Sequence, residues 1–343
     1  MSTDVQTRGA FRSRAPVRID LAGGWTDVPP YSAEQGGAVV NAAINRYAYC
    51  TLHPRSDQAI HIYSADFDAT VHVTSIAELV YDGTLDLIKA AIRRLDVRQG
   101  LELYVRCDAP PGSGTGSSAA MGVALIAGLN LLQTEKLSVH EMARLAHLLE
   151  IEELRNAGGK QDQYAAALGG VNFMEFHDPA VEVSPLHLAP ATRYELEKRL
   201  VMCYTGRSRV SGNIIATVMG AYRAGVPRTV QALHALKRIA VDMKSALLRG
   251  DLASFGELLQ ENWENQKQLD PSVTNSTIDE LFELAHRSGA QGGKALGAGG
   301  GGCVLFYAVA DQEHRLRLAL AERGLQLIDF TLDFEGVRCW HEP

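Results

Sequence analysis

The segment Pro110-Pro111-Gly112-Ser113-Gly114-Thr115-Gly116-Ser117-Ser118-Ala119-Ala120 constrains this chain more than any other. Glycine alternates with small residues, then two serines open an apolar run from Ala119 to Leu132. Alternating glycines let the backbone turn tightly and approach a ligand without a Cβ in the way. The run that follows predicts a helix whose first N–H groups point back at the loop. A Gly-rich loop feeding a helix N-terminus is a phosphate cradle. It lacks the Gly-Lys-Ser/Thr ending of a P-loop and the spacing of a dinucleotide fingerprint. Pro111, Gly112, Ser113, Gly114, Thr115, Gly116, Ser117, Ser118 and Ala119 are therefore the candidate nucleotide-phosphate residues. A plain flexible linker would rarely run straight into so apolar a helix.

Composition bounds the remaining choices. At 343 residues the chain suits two domains, with a boundary expected near residue 190 (1–190 and 191–343). A formal net charge of −7 gives no nucleic-acid footprint. The five cysteines, Cys50, Cys107, Cys203, Cys303 and Cys339, never form a CxxC pair, and the eleven histidines show no metal-ligand spacing. Reduced thiols in a cytoplasmic protein are the expectation. The polar Met1 to Arg14 stretch has no apolar signal core, and no segment reads as a membrane span. One chain leaves the oligomeric state open.

Local patterns place these features on elements. Val17 to Leu21 alternates apolar and polar residues, and Ala38 to Leu52, Ala59 to Val73 and Leu101 to Val105 read as further strands. Leu85 to Leu95 reads as a helix, and Ser138 with Glu141 forms a capping box ahead of another. After Gly158-Gly159-Lys160-Gln161-Asp162-Gln163-Tyr164 comes an alanine-rich helical turn ending at Gly169-Gly170. Leu200 to Tyr204 reads as a strand, and helical patterns cover Thr229 to Arg249, Leu252 to Gln268 and Ser276 to Ser288. A second glycine block, Gly292 to Gly302, leads into the apolar strand Cys303 to Tyr307.

Three motifs in order carry a resemblance: Ala15-Pro16-Val17-Arg18-Ile19-Asp20-Leu21-Ala22-Gly23-Gly24-Trp25-Thr26-Asp27, the Pro110 to Ala120 loop, and Lys294 to Val304. Together they resemble the GHMP family of small-molecule kinases. The resemblance implies an α+β, two-domain fold with the active-site cleft between the domains. It further implies phosphoryl transfer from ATP with Mg2+ to a small-molecule sugar or sugar phosphate. Gly159 to Tyr164 and Tyr204-Thr205-Gly206-Arg207-Ser208-Arg209 are similar to the branch acting on heptose phosphates. That likeness points to the anomeric hydroxyl of D-glycero-α-D-manno-heptose 7-phosphate, a step feeding nucleotide-activated heptose for lipopolysaccharide or capsule. An L-fucose or hexose 1-kinase, or a non-catalytic ligand sensor on the same fold, is the alternative.

By the same resemblance, Asp162 matches the catalytic aspartate, which can orient the attacking hydroxyl and accept its proton. Arg18 matches its paired arginine, favouring an ionised carboxylate and stabilising phosphoryl charge. Without the motifs, Asp162 would pass as a turn-capping aspartate and Arg18 as a surface strand arginine. Ser118 is placed like a magnesium ligand, with Ser117 beside it. The second ligand is Glu150 by ungapped alignment on Asp162, with Glu152 and Glu153 within one turn and Glu153 on the same face as Glu150. Asp27, with Thr26 and Gly24, is assigned to the sugar. Lys160, Arg207 and Arg209 are the basic candidates for a substrate phosphate, each with the alternative of an ordinary solvated cation. Gly299 and Gly300 lie in the block expected to close on the phosphates or pack near the loop, unless it is only a tight turn.

Overall fold

The computed structural model describes residues 9–206 and 211–342. Eight strands form the first sheet: β1 (Ala10–Ala22), β2 (Gly37–Pro54), β3 (Ile60–Ser64), β4 (Ala69–Val73), β5 (Leu101–Cys107), β6 (Val171–His177), β7 (Ala180–Pro185) and β12 (Arg338–Glu342). Its main path runs β12-β1-β2-β5-β3-β4, with β6 and β7 added beside β2. The 18-residue β2 serves two partners: its first part pairs β6 and its last part pairs β5, both antiparallel. A single expected strand, Ala59 to Val73, is a hairpin of β3 and β4 around residues 65–68. The second sheet has the order β11-β8-β10-β9, from β8 (Leu200–Tyr204), β9 (Ala290–Ala295), β10 (Cys303–Ala308) and β11 (Gln326–Ile328).

Helices cover both sheets. On the first lie α1 (Tyr31–Gln35), α2 (Asp86–Arg94), α3 (Ser117–Asn130), α4 (Val139–Leu148) and α5 (Gln161–Leu168). α6 (Pro190–Arg199) leads into β8, and α7 (Ser211–Arg223) precedes α8 (Pro227–Arg249), α9 (Leu252–Lys267), α10 (Ser276–Arg287) and α11 (Glu313–Glu322). α3 is apolar around its circumference because it is enclosed: Ala119 to Asn130 are all buried. α4 carries the capping box, with Glu141 N donating to Ser138 Oγ at 3.3 Å and Ser138 N donating to Glu141 Oε2 at 2.7 Å. It then opens into a π-helical turn at Leu149–Glu153, a distortion often found beside functional sites.

One apolar core lies beneath the first sheet and takes Ile239, Ala240 and Met243 from α8. A second packs Trp263, Phe282 and Phe306 around the other sheet. The stacked Trp263 and Phe282 rings, 5.0 Å between centroids, anchor it. β12 pairs with β1 from Ala10↔Glu342 to Arg14↔Arg338, so the first sheet draws strands from both sides of residue 190. The loop ahead of α3, the start of α5 and the end of β1 meet in one cleft that also reaches the turn after β9.

Candidate active site

The cradle forms through left-handed backbone at Gly112, Gly114 and Gly116, with φ of 67°, 77° and 72°. These angles and their close neighbours demand glycine: a Cβ on Gly114 would come within 2.5 Å of Leu296 O. Ser113 and Thr115 are buried and bonded to each other at 2.7 Å, so their side chains hold the loop's shape. Ser117, Ser118 and Ala119 open α3, where N–H groups have no partner inside the helix, and all three line the cleft.

Arg18 and Asp162 come together from elements 144 residues apart. Arg18 donates through Nε to Asp162 Oδ1 at 2.8 Å, and its second terminal nitrogen lies 2.7 Å from the same oxygen. Its remaining nitrogen donates to Gly114 O at 2.5 Å. The guanidinium therefore fixes the carboxylate relative to the cradle. The contact is tight: a Cβ on Gly116 would lie 3.0 Å from Asp162 Oδ2.

Asp27 is buried in the wall of the same cavity and accepts from Gln161 N at 3.1 Å and Gln161 Nε2 at 3.4 Å. Burial, then the Asp162 charge, pushes its carboxyl up to about 6. Thr26 is a turn residue, its hydroxyl accepting from Ala38 N at 3.0 Å and within donating reach of Gly23 O at 2.7 Å and Ala38 O at 2.9 Å. Gly24 leaves room for Asp20, whose Oδ2 would sit 2.1 Å from a Cβ there. Gly159 likewise makes room for Asp27.

The three neighbouring glutamates separate clearly. Ser118 Oγ donates to Glu150 Oε1 at 3.1 Å, whereas Glu152 and Glu153 both pair with Arg94. Burial and the Asp162 charge push Glu150 up to about 7. Among the described residues no cluster of three or more His, Cys, Asp or Glu could hold a metal by itself. The Ser118–Glu150 oxygen pair suits a hard cation that takes its other ligands from phosphate and water.

Other sequence candidates lie elsewhere. Lys160 is paired with Asp178 and also donates to Pro179 O at 3.3 Å, tying the start of α5 to the β6–β7 hairpin. Arg207 and Arg209 lie outside the described residues. The second glycine block packs on the first: Cys303 N donates to Ser113 O at 2.7 Å, and Gly297 abuts Gly114. Gly297 and Ala298 reach the cleft, while Gly299 and Gly300 turn onto Val273, with Gly300 N donating to Val273 O at 2.6 Å.

Sequence reasoning did not find the chamber on the other side of the cradle. It measures about 610 Å³ and is lined by Phe67, Tyr81, Leu87, Met121 and Leu154. It shares Gly112, Ser117, Ser118 and Asn156 with the polar cavity, of about 340 Å³, that holds Arg18, Asp27 and Asp162. Four separated segments build its apolar wall, so no local pattern announces it. An apolar chamber and a polar, carboxylate-lined cavity thus adjoin through the phosphate cradle. That arrangement suits a flat base, a phosphate chain and a hydroxylated acceptor.

Comparison with known proteins agrees with this geometry. The family model for the GHMP kinases N terminal domain matches residues 81–170, and that for GHMP kinases C terminal matches residues 243–324. A D-glycero-alpha-D-manno-heptose 7-phosphate kinase of Campylobacter jejuni is 35% identical, covering 96% of this chain and 98% of its own. An L-fucokinase/L-fucose-1-P guanylyltransferase of Bacteroides fragilis is 29% identical over 97% of this chain, which spans 39% of that longer protein. A crystal structure of a D-glycero-D-manno-heptose 1-phosphate kinase from Bacteroides thetaiotaomicron superposes with a TM-score of 0.81 at 33% identity, covering 97% of this chain and 99% of the other. Matched in both halves and along nearly its whole length, the chain belongs to the GHMP kinases and is an ATP-dependent phosphotransferase acting on an alcohol group.

Proposed function

We propose that this kinase phosphorylates the anomeric hydroxyl of a sugar, with D-glycero-α-D-manno-heptose 7-phosphate the favoured acceptor and the 1,7-bisphosphate the product. The observation that carries the reading is Asp162, held by Arg18 against the phosphate cradle and facing the polar cavity. The heptose assignment is supported by the likeness to the Campylobacter jejuni enzyme over almost the full length of both chains. The free thiols of all five cysteines suit a reducing, cytoplasmic setting.

In this reading the apolar chamber takes the adenine, and the N–H groups at the start of α3 take the phosphate chain. The acceptor hydroxyl donates to Asp162. As its oxygen forms the new bond to the γ-phosphorus, the bond to the β-phosphate oxygen breaks and the proton passes to Asp162. Arg18 holds the carboxylate in line and offsets charge at the transferring group. Ser118 and Glu150 would hold Mg2+, which when bound neutralises phosphate charge. Asp27 receives a hydroxyl of the acceptor and fixes its orientation.

An ADP-release assay over a sugar panel tests the proposal. Preference for the heptose 7-phosphate over unphosphorylated heptose, L-fucose, galactose and mannose is expected. Preference for L-fucose would favour the second reading, which the Bacteroides fragilis relative supports. No turnover with any sugar would refute both.

A further inference from the structure

Burying a polar atom without a partner is costly, and a native fold retains few of them. Several such atoms line the polar cavity. Asp20 Oδ1, Trp25 Nε1 and Gln161 Oε1 are buried, have no hydrogen-bond partner among the described residues, and belong to residues of its wall. All three stand at the acceptor end: Gln161 bonds Asp27, the Asp20 charge raises the Asp27 carboxyl, and Trp25 is two residues from Asp27.

Their neighbours fix what each can accept. Asp20 lies 2% exposed at the end of β1, and its Oδ2 accepts from Lys294 Nζ at 2.7 Å. Lys294 is itself fully buried and comes from β9 in the other sheet. One oxygen of Asp20 is thereby clamped and the other left over. Gln161 Nε2 faces Asp27, which assigns the amide and leaves its oxygen as the free atom. Trp25 sits at φ 83°, a left-handed conformation that costs a bulky residue energy and recurs at ligand sites. Two free acceptors and one free donor form a set that matches hydroxyl groups, which both donate and accept. A metal ion does not fit the set, because Lys294 and the Arg18 charge flank Asp20 and the indole N–H repels a cation.

We infer that Asp20, held by Lys294, is a specificity-determining residue that accepts a hydrogen bond from an acceptor hydroxyl distinct from the reacting one, with Trp25 Nε1 and Gln161 Oε1 binding the same polyol face. This rests on the sugar-kinase reading and deepens it. It predicts a polyhydroxylated acceptor and disfavours a simple alcohol or a carboxylic acid, whose anionic end would meet Asp20 and Asp27. Lys294 acts as a positioning residue: it holds Asp20 from behind and does not itself line the cavity.

Calorimetric titration of the full chain, with a non-hydrolysable ATP analogue and Mg2+ present, separates binding from turnover. The ligand is the heptose 7-phosphate, followed by its monodeoxy analogues. Asp20→Asn keeps an oxygen for Lys294 but turns an N–H toward the cavity; Trp25→Phe keeps the ring and removes the donor. Each is expected to weaken sugar binding about 10- to 100-fold, with affinity for the nucleotide analogue unchanged. One deoxy analogue should bind the wild type as weakly as the parent sugar binds Asp20→Asn, and lose nothing further in that variant. The unchanged nucleotide affinity shows that both variants are folded. Wild-type binding matched by both variants overturns this inference alone. A wild type that binds nucleotide and no sugar overturns it together with the sugar-kinase reading.

Discussion

Replacing Asp27 by asparagine measures what the acceptor cavity costs the fold. The carboxyl is 2% exposed and titrates at about 6, against an ordinary value of 3.8. A carboxyl raised on folding favours the folded state most below its unfolded value, and that advantage is lost as pH rises through the folded value. Over the interval from 3.8 to about 6 the loss reaches about 3 kcal/mol at 1.36 kcal/mol per pH decade. Asparagine keeps an oxygen for Gln161 N and does not ionise, while its amide loses the Gln161 Nε2 bond, roughly 1 kcal/mol. The variant should therefore match or trail the wild type at pH 4 and exceed its stability by about 2 kcal/mol at pH 8. For a chain of this length that is a gain in Tm of about 3 °C. Calorimetric scans of both proteins from pH 4 to 8 read it directly. A Tm difference that does not change with pH would refute the reasoning, because it would mean that Asp27 is not buried as a strained anion. Binding of sugar should move in the opposite direction, weakening about tenfold or more as the charged acceptor is lost.

Further outcomes follow from the same geometry. Asp162→Asn should lower kcat by about 10²- to 10⁴-fold with little change in KM for ATP; near wild-type turnover would remove its role as base. Glu150→Gln should raise the Mg2+ concentration needed for half-maximal activity by about tenfold, measured by titrating Mg2+ at fixed ATP. Proton release on Mg2+–nucleotide binding should be measurable near pH 6.5 in the wild type, since Glu150 titrates at about 7, and be reduced in that variant. Gly116→Ala places a Cβ 3.0 Å from Asp162 Oδ2 at a φ of 72°, so kcat should fall more than Tm; an unchanged kcat would show the cradle and carboxylate to be less closely coupled.

What the sequence made legible was whatever is encoded locally. The alternation Gly112-Ser113-Gly114-Thr115-Gly116 demands a positive-φ turn, and the apolar run after it demands enclosure, so cradle and α3 could be read together. The Ser138 capping box was equally local. Asp162 and Arg18 came from motif resemblance, because neither is distinguishable from an ordinary surface residue by composition. Contacts made at long range stayed hidden. Lys294 and Asp20 are 274 residues apart, and nothing near either one announces the other. Glu150 could not be separated from Glu152 and Glu153 by periodicity, because a π-helical turn interrupts the helix where they lie. Lys160 offered a free positive charge in sequence, and the fold gives that charge to Asp178 on a neighbouring hairpin.

The pairing of β12 with β1 bears on how the protein is made. β1 leaves the ribosome early, while its outer neighbour, Arg338 to Glu342, is synthesised more than three hundred residues later. At cellular elongation rates the outer edge of β1 waits on the order of tens of seconds for its partner. An unpaired strand edge is a template for association with another chain. A nascent or truncated chain ending before Arg338 therefore presents that edge, together with the exposed ring of Phe11 that would otherwise meet His341, to chaperones and to other copies of itself.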